Sequence, residues 1–248
     1  MYFDVHCHLV QYPNIKEIIA EAKENQIKIL SVSMNLQDNI KNLELLDEKQ
    51  VGIMFGIHPM ITGTRKFKHQ MHEEVVELIN HHKSKIAGIG EIGLDRSMHP
   101  KFFEKQENYF KKYLELAQDL KLGVTLHGRR AQPQLFAILE NYEIHPTVIH
   151  WYYGPENLID VGIKRGYYFS ITPAIFYSPH KRVAEKVPLQ KLLTESDGPC
   201  PFEHLKRGSV PTDVIAVVQE IAKVKNLDVT YVKEEIFKTS TKLYQLFK

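Results

Sequence analysis

The sequence predicts a (β/α)8 barrel, the TIM-barrel class of α/β fold, with an extra C-terminal helix. Short β-rich apolar runs alternate with amphipathic stretches, eight such runs recur at a period of about 30 residues, and 248 residues is close to the length of about 250 that is usual for this fold. A doubly wound open sheet is the main alternative, but it would want a glycine-rich phosphate loop after an early strand, and the sequence has none. No linker or low-complexity tract interrupts the pattern, so residues 1–248 are expected to form a single domain.

The predicted strands are short runs rich in apolar and β-branched residues, as is typical of strands buried in a parallel sheet. In chain order they are Tyr2–His8, Ile27–Ser33, Gly52–His58, Ile86–Glu91, Gly123–His127, Thr147–His150, Tyr167–Ile171 and Leu192–Glu195. Helical patterns with one apolar face lie between them. These are Ile15–Asn25, Ile40–Lys49, Glu73–His82, Phe102–Leu120, Pro133–Asn141, Pro155–Gly162 and Pro179–Val187. Two more helices, Thr212–Lys225 and Thr230–Phe247, follow the last strand.

Composition excludes few function classes. The chain has 32 Lys and Arg against 30 Asp and Glu, a formal net charge of +2, so a nucleic-acid enzyme would need a local basic rim. Cys7 and Cys200 are too few for a disulfide framework, which favours a reducing compartment. No apolar run approaches the roughly 20 residues of a membrane span, and the first residues read directly into a strand. We therefore expect a soluble, cytoplasmic protein.

Six residues of the types that bind divalent metals fall at or just after the carboxyl ends of predicted strands. They are His6, His8, Glu91, His127, His150 and Asp197. His6 and His8 are two residues apart, so on a strand their side chains leave the same face. Because active sites of this fold lie at the carboxyl ends of the strands, all six are expected to converge on one mouth. A lone histidine at a strand end is more often structural, and it is the joint placement that predicts a hydrolase site for one or two divalent metals.

The chemistry of these residues divides them into two sets. One metal would take His6, His8 and Asp197, the other His127 and His150, and Glu91 would bridge the two. Two ions about 3.5–4 Å apart can clamp a phosphoryl or carbonyl group while a bridging water ionises and attacks it. Phosphodiester chemistry with a bridging carboxylate suits Mg²⁺ or Mn²⁺, and ligation rich in histidine also suits Zn²⁺.

Three further roles are expected beside metal binding. Asp197 would contact both metal and water and is the candidate for moving the proton, with Glu91 as the bridge. Arg129, two residues after His127, would hold a phosphate with its fixed donor fork. His58, directly before a proline, would orient the substrate from the rim.

The other polar residues are expected to be structural or solvent-exposed. Eight further histidines are expected in loops or on the solvated surface, namely His69, His72, His81, His82, His99, His145, His180 and His204. Asp4 shares the parity of His6 and His8 but lies deeper, so it is expected to orient an imidazole rather than to bind metal. Cys7 faces the opposite way and is expected in the core.

Aromatic residues follow two of the predicted strands. They are Trp151, Tyr152 and Tyr153 after strand six, and Phe176 and Tyr177 after strand seven. On mouth loops such side chains could stack nucleobases. Aromatic residues near a barrel rim more often serve packing, so both interpretations stay open.

Six stretches spread over essentially the whole chain carry a family resemblance. They are FDVHCHL (Phe3–Leu9), GIHP (Gly56–Pro59), GEIGLD (Gly90–Asp95), LHGRRA (Leu126–Ala131), the IHWYYG around His150, and TESDGP (Thr194–Pro199). In this order and spacing they resemble the TatD family of metal-dependent deoxyribonucleases, within the amidohydrolase-like barrels. The resemblance implies that His6, His8, Glu91 and Asp197 hold one metal, that Glu91, His127 and His150 hold another, and that His58 and Arg129 lie near the scissile phosphate. It also implies a DNA substrate, degraded largely as a 3′→5′ exonuclease with a preference for single strands.

Several details are similar to one branch, the TatD-like component of Qat anti-phage defence systems, which are multi-gene bacterial operons. They include HCHLVQYP near the start, the double arginine of HGRRA and the PAIF at Pro173–Phe176. This branch implies action beside other Qat-system proteins. There are also departures from the family pattern: Arg130 replaces a usual acidic residue, the element after the final aspartate is reduced to Lys206–Pro211, and an expected asparagine is absent around Ser240–Lys242. These departures leave the substrate preference open.

Two other functions fit the same residues. A phosphotriesterase-like amidohydrolase would use the same barrel, but it would normally bridge its metals with a carboxylated lysine, where this chain has Glu91. Small phosphoesters or a D-aminoacyl-tRNA ester are then alternative substrates. A scaffold or partner-activated subunit of a defence complex is the other alternative, although a scaffold has no physical need for six converging ligands.

Overall fold

The computed structural model describes residues 1–97, 100–177 and 179–244. Its eight parallel strands follow one another in sequence order around a nearly closed barrel with helices between them, which confirms the predicted fold class. The strands are β1 (Tyr2–Cys7), β2 (Ile27–Val32), β3 (Val51–Phe55), β4 (Gly88–Asp95), β5 (Val124–Arg129), β6 (Thr147–Ile149), β7 (Tyr168–Ile171) and β8 (Leu192–Thr194). A two-stranded antiparallel hairpin, β9 (Pro201–Phe202) and β10 (Arg207–Gly208), follows β8.

The helices lie between and after the strands, and each described α-helix except the single turn at Pro59–Thr62 corresponds to a predicted amphipathic pattern. They are α1 (Ile15–Glu24), α2 (Leu36–Asn42), α3 (Pro59–Thr62), α4 (His69–His82), α5 (Phe103–Leu120), α6 (Gln132–Leu139), α7 (Glu156–Lys164), α8 (Lys181–Lys186), α9 (Val214–Lys225) and α10 (Val229–Leu243). The predicted helix Ile40–Lys49 begins too late, because the Asn35 side chain caps α2 by accepting from the Asp38 N–H at 3.0 Å. The end predicted for the last helix, at Phe247, lies outside the described residues. No described helix is long and apolar enough to cross a membrane.

Strands buried on both faces explain why the strand sequences read as nearly continuous apolar runs. All eight residues of β4 are buried, for example. The first and last strands meet through loop and side-chain bonds: the Thr194 hydroxyl donates to the Phe3 carbonyl at 2.7 Å, and the Asp197 N–H donates to the His6 carbonyl at 2.9 Å. The carboxyl end of β8 is thereby joined to the carboxyl end of β1.

Two apolar cores flank the sheet. The larger lies between the strands and the surrounding helices and includes Cys7, as predicted. The smaller joins side chains of several strands with Tyr244, which follows α10; its members are Phe3, Val5, Leu30, Val32, Met54, Val148, Leu193 and Tyr244. Phe3 lies near the amino end of β1 and Val32 at the carboxyl end of β2, so this second core extends to the level of the candidate ligand His8, whose Nδ1 meets the Val32 carbonyl.

The strands β1 and β4 are irregular where they approach the mouth. The register of β1 against β2 shifts by one residue between Asp4 and Cys7, and that of β4 against β5 shifts between Ile89 and Ile92. An extra residue of this kind reverses the alternation of side chains and re-aims those that follow. His6 and Glu91 lie within these two irregular segments.

Candidate metal centre at the barrel mouth

The structure brings all six predicted ligands together, with the Glu91 carboxylate between them. Glu91 is buried on β4, and its two oxygens face different groups of histidines. Its Oε2 lies 3.3 Å from His6 Nε2 and 3.4 Å from His8 Nε2. The same two imidazole nitrogens lie 3.7 Å and 3.5 Å from Asp197 Oδ1. These four side chains form the first set of convergent donor atoms.

The second set surrounds the other oxygen of Glu91. Its Oε1 lies 2.8 Å from His127 Nδ1, 3.2 Å from His58 Nε2 and 3.8 Å from His150 Nε2. His150 Nε2 also lies 3.9 Å from Asp197 Oδ1. The rings of His6 and His150 stack with centroids 3.8 Å apart, which places the two sets side by side.

His6 shows that the first set suits a metal better than it suits hydrogen bonding. Its side chain is fully buried, yet neither Nδ1 nor Nε2 has a hydrogen-bond partner among the described residues. A buried polar atom without a partner is costly. Two donor atoms that share one ion at about 2.1 Å lie about 3.4 Å apart in tetrahedral geometry, close to the separations seen here. The residues present therefore fit a divalent ion bound between them.

In His8 and His150, a hydrogen bond at Nδ1 determines which ring nitrogen can bind a metal. His8 Nδ1 lies 2.9 Å from the Val32 carbonyl, and His150 Nδ1 lies 3.0 Å from Glu195 Oε2. An acceptor at Nδ1 holds the proton there and leaves Nε2 free for a metal. Both Nε2 atoms face the carboxylates of the centre.

His58 is held in the opposite tautomer. Its Nδ1 accepts a hydrogen bond from the Met60 N–H at 3.0 Å, so in the neutral ring Nε2 carries the proton and donates to Glu91. This favours a hydrogen-bonding role over ligation, although His58, Glu91 and His127 also lie close enough together for a metal. The expectation that His58 works from the rim is wrong in its location, because the residue is buried against Glu91.

Asp95 is a residue of the centre that the sequence reasoning missed. Its Oδ2 lies 3.1 Å from His127 Nε2, while Oδ1 accepts from the N–H and hydroxyl of Ser97 at 2.8 and 2.6 Å. Buried Gln106 brackets the Asp95 backbone with two further hydrogen bonds. No spacing in the sequence identifies Asp95, because the register shift between Ile89 and Ile92 breaks the alternation of side chains around Glu91.

Glu195 is the second missed residue. It is fully buried, with Oε2 on His150 Nδ1 and Oε1 accepting from the Trp151 N–H at 3.0 Å. One carboxylate therefore fixes both the ring of His150 and the backbone that follows it. Such carboxylate–histidine pairs orient the ring and raise its basicity toward a metal.

Replacing Glu195 with glutamine is expected to lower metal affinity and kcat/KM by about 10- to 100-fold. The glutamine keeps one acceptor oxygen but presents an amide N–H₂ to either the His150 ring or the Trp151 N–H. Isothermal titration with Mn²⁺ and steady-state kinetics measure the two effects. Glu156→Gln, an exposed change on α7, is the matched control, and equal values for both variants would contradict the positioning role.

Gly93 allows β4 to approach β5 closely at the centre. It pairs with His127 at φ +144°, a conformation that side chains rarely adopt, and an added Cβ would lie 2.0 Å from the His127 carbonyl oxygen. The backbone that carries His127 therefore has no room for a side chain opposite it.

The change Gly93→Ala is expected to lower the free energy of unfolding by about 3 kcal/mol, from backbone strain and overpacking. Gly128→Ala is the control, since its Cβ would meet Leu135 at 3.4 Å, an ordinary contact, and its loss should stay under about 1 kcal/mol. Urea denaturation of both variants measures the difference. Similar stabilities would show that the strand pair can relax around a methyl group.

Charges within the centre are strongly coupled. Burial opposes ionisation of Glu91, but His58, His6 and His150 together hold its pKa well below the usual range. Burial also opposes protonation of His150, yet Glu195, Asp197 and Glu91 raise its pKa to about 10. A metal at these atoms displaces protons, so ion binding and proton release are linked.

Arg129 and Arg130 lie at the barrel mouth, outside the buried group of candidate metal ligands. Both side chains are exposed, and Arg130 has a positive φ of 52°. Burial raises the pKa of Cys200 to about 12, and among the opposing influences is the positive charge of Arg129. The Arg129 backbone pairs with Asp95 where β5 runs beside β4, the strand that carries Glu91.

Some polar residues are placed differently from the predictions. Asp4 does not orient an imidazole: its carboxylate accepts from the Ser196 N–H and hydroxyl at 2.9 and 2.5 Å and from the His6 backbone N–H at 3.2 Å. The register shift in β1 breaks the parity on which that expectation depended. Asp4 instead joins the backbones that carry His6 and Asp197.

Two of the histidines predicted in loops or on the surface are buried: His72, on α4, contradicts the prediction, whereas His180 does lie in a loop, directly before α8. His72 lies on the same face of α4 as Val75 and Ile79, and it packs edge-to-face against Tyr113. His180 lies against the Tyr152 carbonyl and the Thr172 N–H at 3.1 and 3.2 Å. The surface prediction is confirmed for His69, His81, His145 and His204, which are exposed, and His82 is partly so; His99 lies outside the described residues.

Comparison with known proteins places this geometry in a family. Residues 3–245 match the model of the TatD-related DNases. An uncharacterized metal-dependent hydrolase of Methanocaldococcus jannaschii is 31% identical over 250 residues, covering 98% of this chain and 97% of its own. The human deoxyribonuclease TATDN3 is 25% identical over 258 residues, covering 97% and 93%.

Solved structures agree on the fold. A TatD homologue from Escherichia coli superposes with a TM-score of 0.89 at 22% identity, over 98% of both chains. A TatD family hydrolase from Entamoeba histolytica gives 0.85 at 18% identity, over 98% of this chain and 97% of its own. With the family model and the archaeal relative spanning nearly the whole chain, the protein belongs to the TatD-related DNase family and is a metal-dependent hydrolase.

Proposed function

We propose that this protein is a deoxyribonuclease that hydrolyses DNA phosphodiester bonds with two divalent metal ions. The observation that carries the proposal is the division of the Glu91 carboxylate, with Oε2 facing His6 and His8 and Oε1 facing His127 and His150. A carboxylate with ligand groups at both oxygens is suited to bridging two ions.

The proposed ligands are His6, His8, Glu91 and Asp197 for one ion and Glu91, His127 and His150 for the other. When bound, the two ions would supply Lewis-acid stabilisation of the phosphate and a water of lowered pKa. Asp4 and Glu195 hold the backbones and rings of this set in place from behind. Mg²⁺ or Mn²⁺ is proposed for catalysis, with Zn²⁺ as the alternative that the histidine content allows.

Two residues are proposed to act on the substrate and the proton. Asp197 Oδ1 faces His6, His8 and His150 from one side, and its position beside both sets suits a group that accepts the proton of the attacking water. His58 Nε2–H donates to Glu91, and once the Glu91 oxygens bind metal the same N–H would be free to donate to a phosphate oxygen.

Arg129 is proposed to bind the phosphate next to the scissile bond. It is exposed at the end of β5, two residues after His127, and its fork of donors matches a phosphate. Its position at the mouth leaves the guanidinium open to solvent and to a strand that enters there.

DNA is the proposed substrate because the family model and the human relative are both described as deoxyribonucleases. Exonuclease action from the 3′ end and a preference for single strands complete the proposal; both follow from the resemblance of the motifs. The setting proposed is the cytoplasm, in bacterial anti-phage defence beside other Qat-system proteins, supported by the HCHLVQYP, HGRRA and PAIF motifs.

The test uses metal-stripped protein with single- and double-stranded DNA labelled at either end. Mg²⁺, Mn²⁺ or Zn²⁺ is added back, and Asp197→Asn is assayed beside Asp119→Asn, an exposed change on α5. Metal-dependent shortening from the 3′ end, lost in the Asp197 variant alone, is the expected result. Failure to cut DNA with metal demonstrably bound would overturn the proposal and favour a small ester or a D-aminoacyl-tRNA as substrate, to be assayed with the same variants.

A further inference from the structure

One side of the barrel mouth carries a group of aromatic side chains on three successive loops. Trp151 follows β6, Phe176 and Tyr177 follow β7, and the β9–β10 hairpin after β8 carries Phe202 and His204. Phe176 and Tyr177 are 39% and 43% exposed. Large exposed aromatic side chains grouped beside an active site indicate a binding surface rather than a core.

Trp151 is fixed relative to the metal centre. It directly follows His150, with the two ring centroids 6.3 Å apart. Its backbone has a φ of +36°, a left-handed conformation that costs energy for a bulky residue, and its N–H is held by Glu195, the same carboxylate that binds His150. The indole therefore lies beside the imidazole of His150, a candidate metal ligand, and it is only half-buried.

Side chains of the β9–β10 hairpin pack against Trp151 on one side and against Phe176 and Tyr177 on the other. Phe202 is buried and packs against Trp151 with centroids 5.1 Å apart. His204, in the turn of the same hairpin, lies 4.5 Å from the Phe176 ring and 5.8 Å from the Tyr177 ring. The hairpin therefore contacts aromatic rings at two positions. The inner position is Trp151, beside the candidate ligand His150, and the outer position is Phe176 with Tyr177 and His204.

The hairpin is anchored to the body of the protein. Arg207 makes two hydrogen bonds to the Asp213 carboxylate, at 2.9 and 2.7 Å, and the Ser209 N–H donates to the Cys200 carbonyl. A bidentate pair of this kind restricts both partners. The two aromatic positions are thereby held in a set arrangement before any ligand arrives.

Packing accounts for Tyr152 and Phe202 but not for Phe176 and Tyr177. Tyr152 is buried, its hydroxyl donates to the Pro155 carbonyl, and its ring packs on Phe169, so of the two interpretations left open the packing one holds for Tyr152. Phe176 and Tyr177 pack on exposed His204 and retain free surface. The exposed rings of Phe176 and Tyr177 suit a ligand with flat apolar faces.

The charges around the mouth favour a nucleic acid as that ligand. Arg129 and Arg130 are exposed after β5, and Lys206 is exposed in the hairpin turn. A phosphate backbone is attracted by such cations, while its bases present flat faces to aromatic rings. The mouth offers both kinds of contact next to a centre suited to phosphodiester hydrolysis.

We propose that unpaired nucleobases of a DNA strand stack on an aromatic track, with Trp151 as the inner position beside the metal centre and Phe176, Tyr177 and His204 as the outer position. The proposal rests on the proposed function and adds the source of its single-strand preference. Bases in a duplex are stacked and paired with one another, so their faces are not free for the track. Stacking is tolerant of sequence, because each base has a π-face.

The first test uses the fluorescence of Trp151, which is the single tryptophan of the chain. Wild-type protein with Mg²⁺ is titrated with a hydrolysis-resistant phosphorothioate oligothymidylate and with an abasic strand of equal length and linkage. We expect the oligothymidylate to quench the indole emission and the abasic strand to leave it nearly unchanged. Equal quenching by both strands, or none while a labelled oligothymidylate binds by anisotropy, would overturn the inner position.

The second test measures how strongly base-bearing strands are preferred over abasic strands in cleavage. The double change Phe176→Ala and Tyr177→Ala is expected to reduce this preference by about tenfold, expressed mainly in KM. Tyr231→Ala is the matched control: Tyr231 is 45% exposed on α10, outside the loops that carry the track. A preference unchanged in the double variant, or reduced equally in the control, would overturn the outer position.

The two proposals fail in different ways. If the wild type cuts base-bearing and abasic strands equally well, the deoxyribonuclease stands and the track is wrong. If it cuts neither strand, the proposed function is wrong, and the fluorescence titration still decides whether bases stack on Trp151.

Discussion

Replacing Glu91 with glutamine is expected to lower kcat/KM on DNA by about 10³-fold, which corresponds to about 4 kcal/mol of lost transition-state stabilisation. Both oxygens of Glu91 face donor groups, Oε2 toward His6 and Oε1 toward His127. An amide of the same shape places an N–H₂ group on one side, so one set of ligands loses its carboxylate oxygen and the centre loses a negative charge. Steady-state kinetics with saturating Mn²⁺ measure the loss.

Metal content separates this effect from misfolding. Elemental analysis after dialysis against Mn²⁺ is expected to give two ions per wild-type chain and at most one per Glu91→Gln chain. Far-UV circular dichroism should be unchanged, because the substitution preserves volume. Glu77→Gln, an exposed change on α4, is the matched control and should retain wild-type kinetics and metal content. A Glu91 variant that binds two ions and keeps its activity would show that the carboxylate does not bridge.

Comparing the loss of activity in Glu91→Gln with that in Glu195→Gln distinguishes a metal ligand from a residue that positions a ligand. Glu195 touches His150 from behind, at Nδ1, whereas Glu91 faces the ring's Nε2. A group that acts through another residue should cost less than a bridging ligand. If Glu195→Gln proved as damaging as Glu91→Gln, the separation between ligands and positioning residues would have to be abandoned.

The barrel itself was predictable because of where its strands lie. Strands buried on both faces read as apolar runs, and a run such as Ile27–Val32 stands out against the amphipathic helix before it. The candidate ligands were also accessible to sequence reasoning, since the carboxyl ends of such strands must meet at one mouth. Helix starts were less accessible, because a cap such as Asn35 acts before the periodic pattern begins.

The parts that escaped prediction depend on contacts between residues distant in sequence. The Asp4 interaction with Ser196 follows from a register shift in β1, and no periodicity in a single strand reveals such a shift. Asp95 and Glu195 have roles only because His127 and His150 come to lie against them from neighbouring strands. His180 is buried because its ring meets backbone groups of other loops. A side chain that acts through another side chain gives little sign in one sequence.

Divalent metal is expected to stabilise the protein strongly, apart from any effect on activity. The fully buried His6 ring has no hydrogen-bond partner among the described residues, and its Nε2 faces Glu91 and Asp197. An ion that binds the native site but not the unfolded chain adds about 2.7 kcal/mol when its concentration is 100 times its Kd. For a domain of this size that corresponds to a rise of about 5–10 °C in Tm.

Thermal denaturation of chelator-treated protein, followed with and without added Mn²⁺ or Zn²⁺, measures this rise. In His6→Ala the rise should fall to about half or less, because a ligand of one set is removed while His127 and His150 stay in place. His81→Ala, an exposed change at the end of α4, is the matched control and should keep the full rise. A wild-type Tm that does not respond to any of these ions would contradict a metal centre built on His6. A response retained in full by His6→Ala would move that centre to the set around His127. Because the readout is unfolding, the result depends on metal binding alone and holds whichever ester the enzyme cleaves.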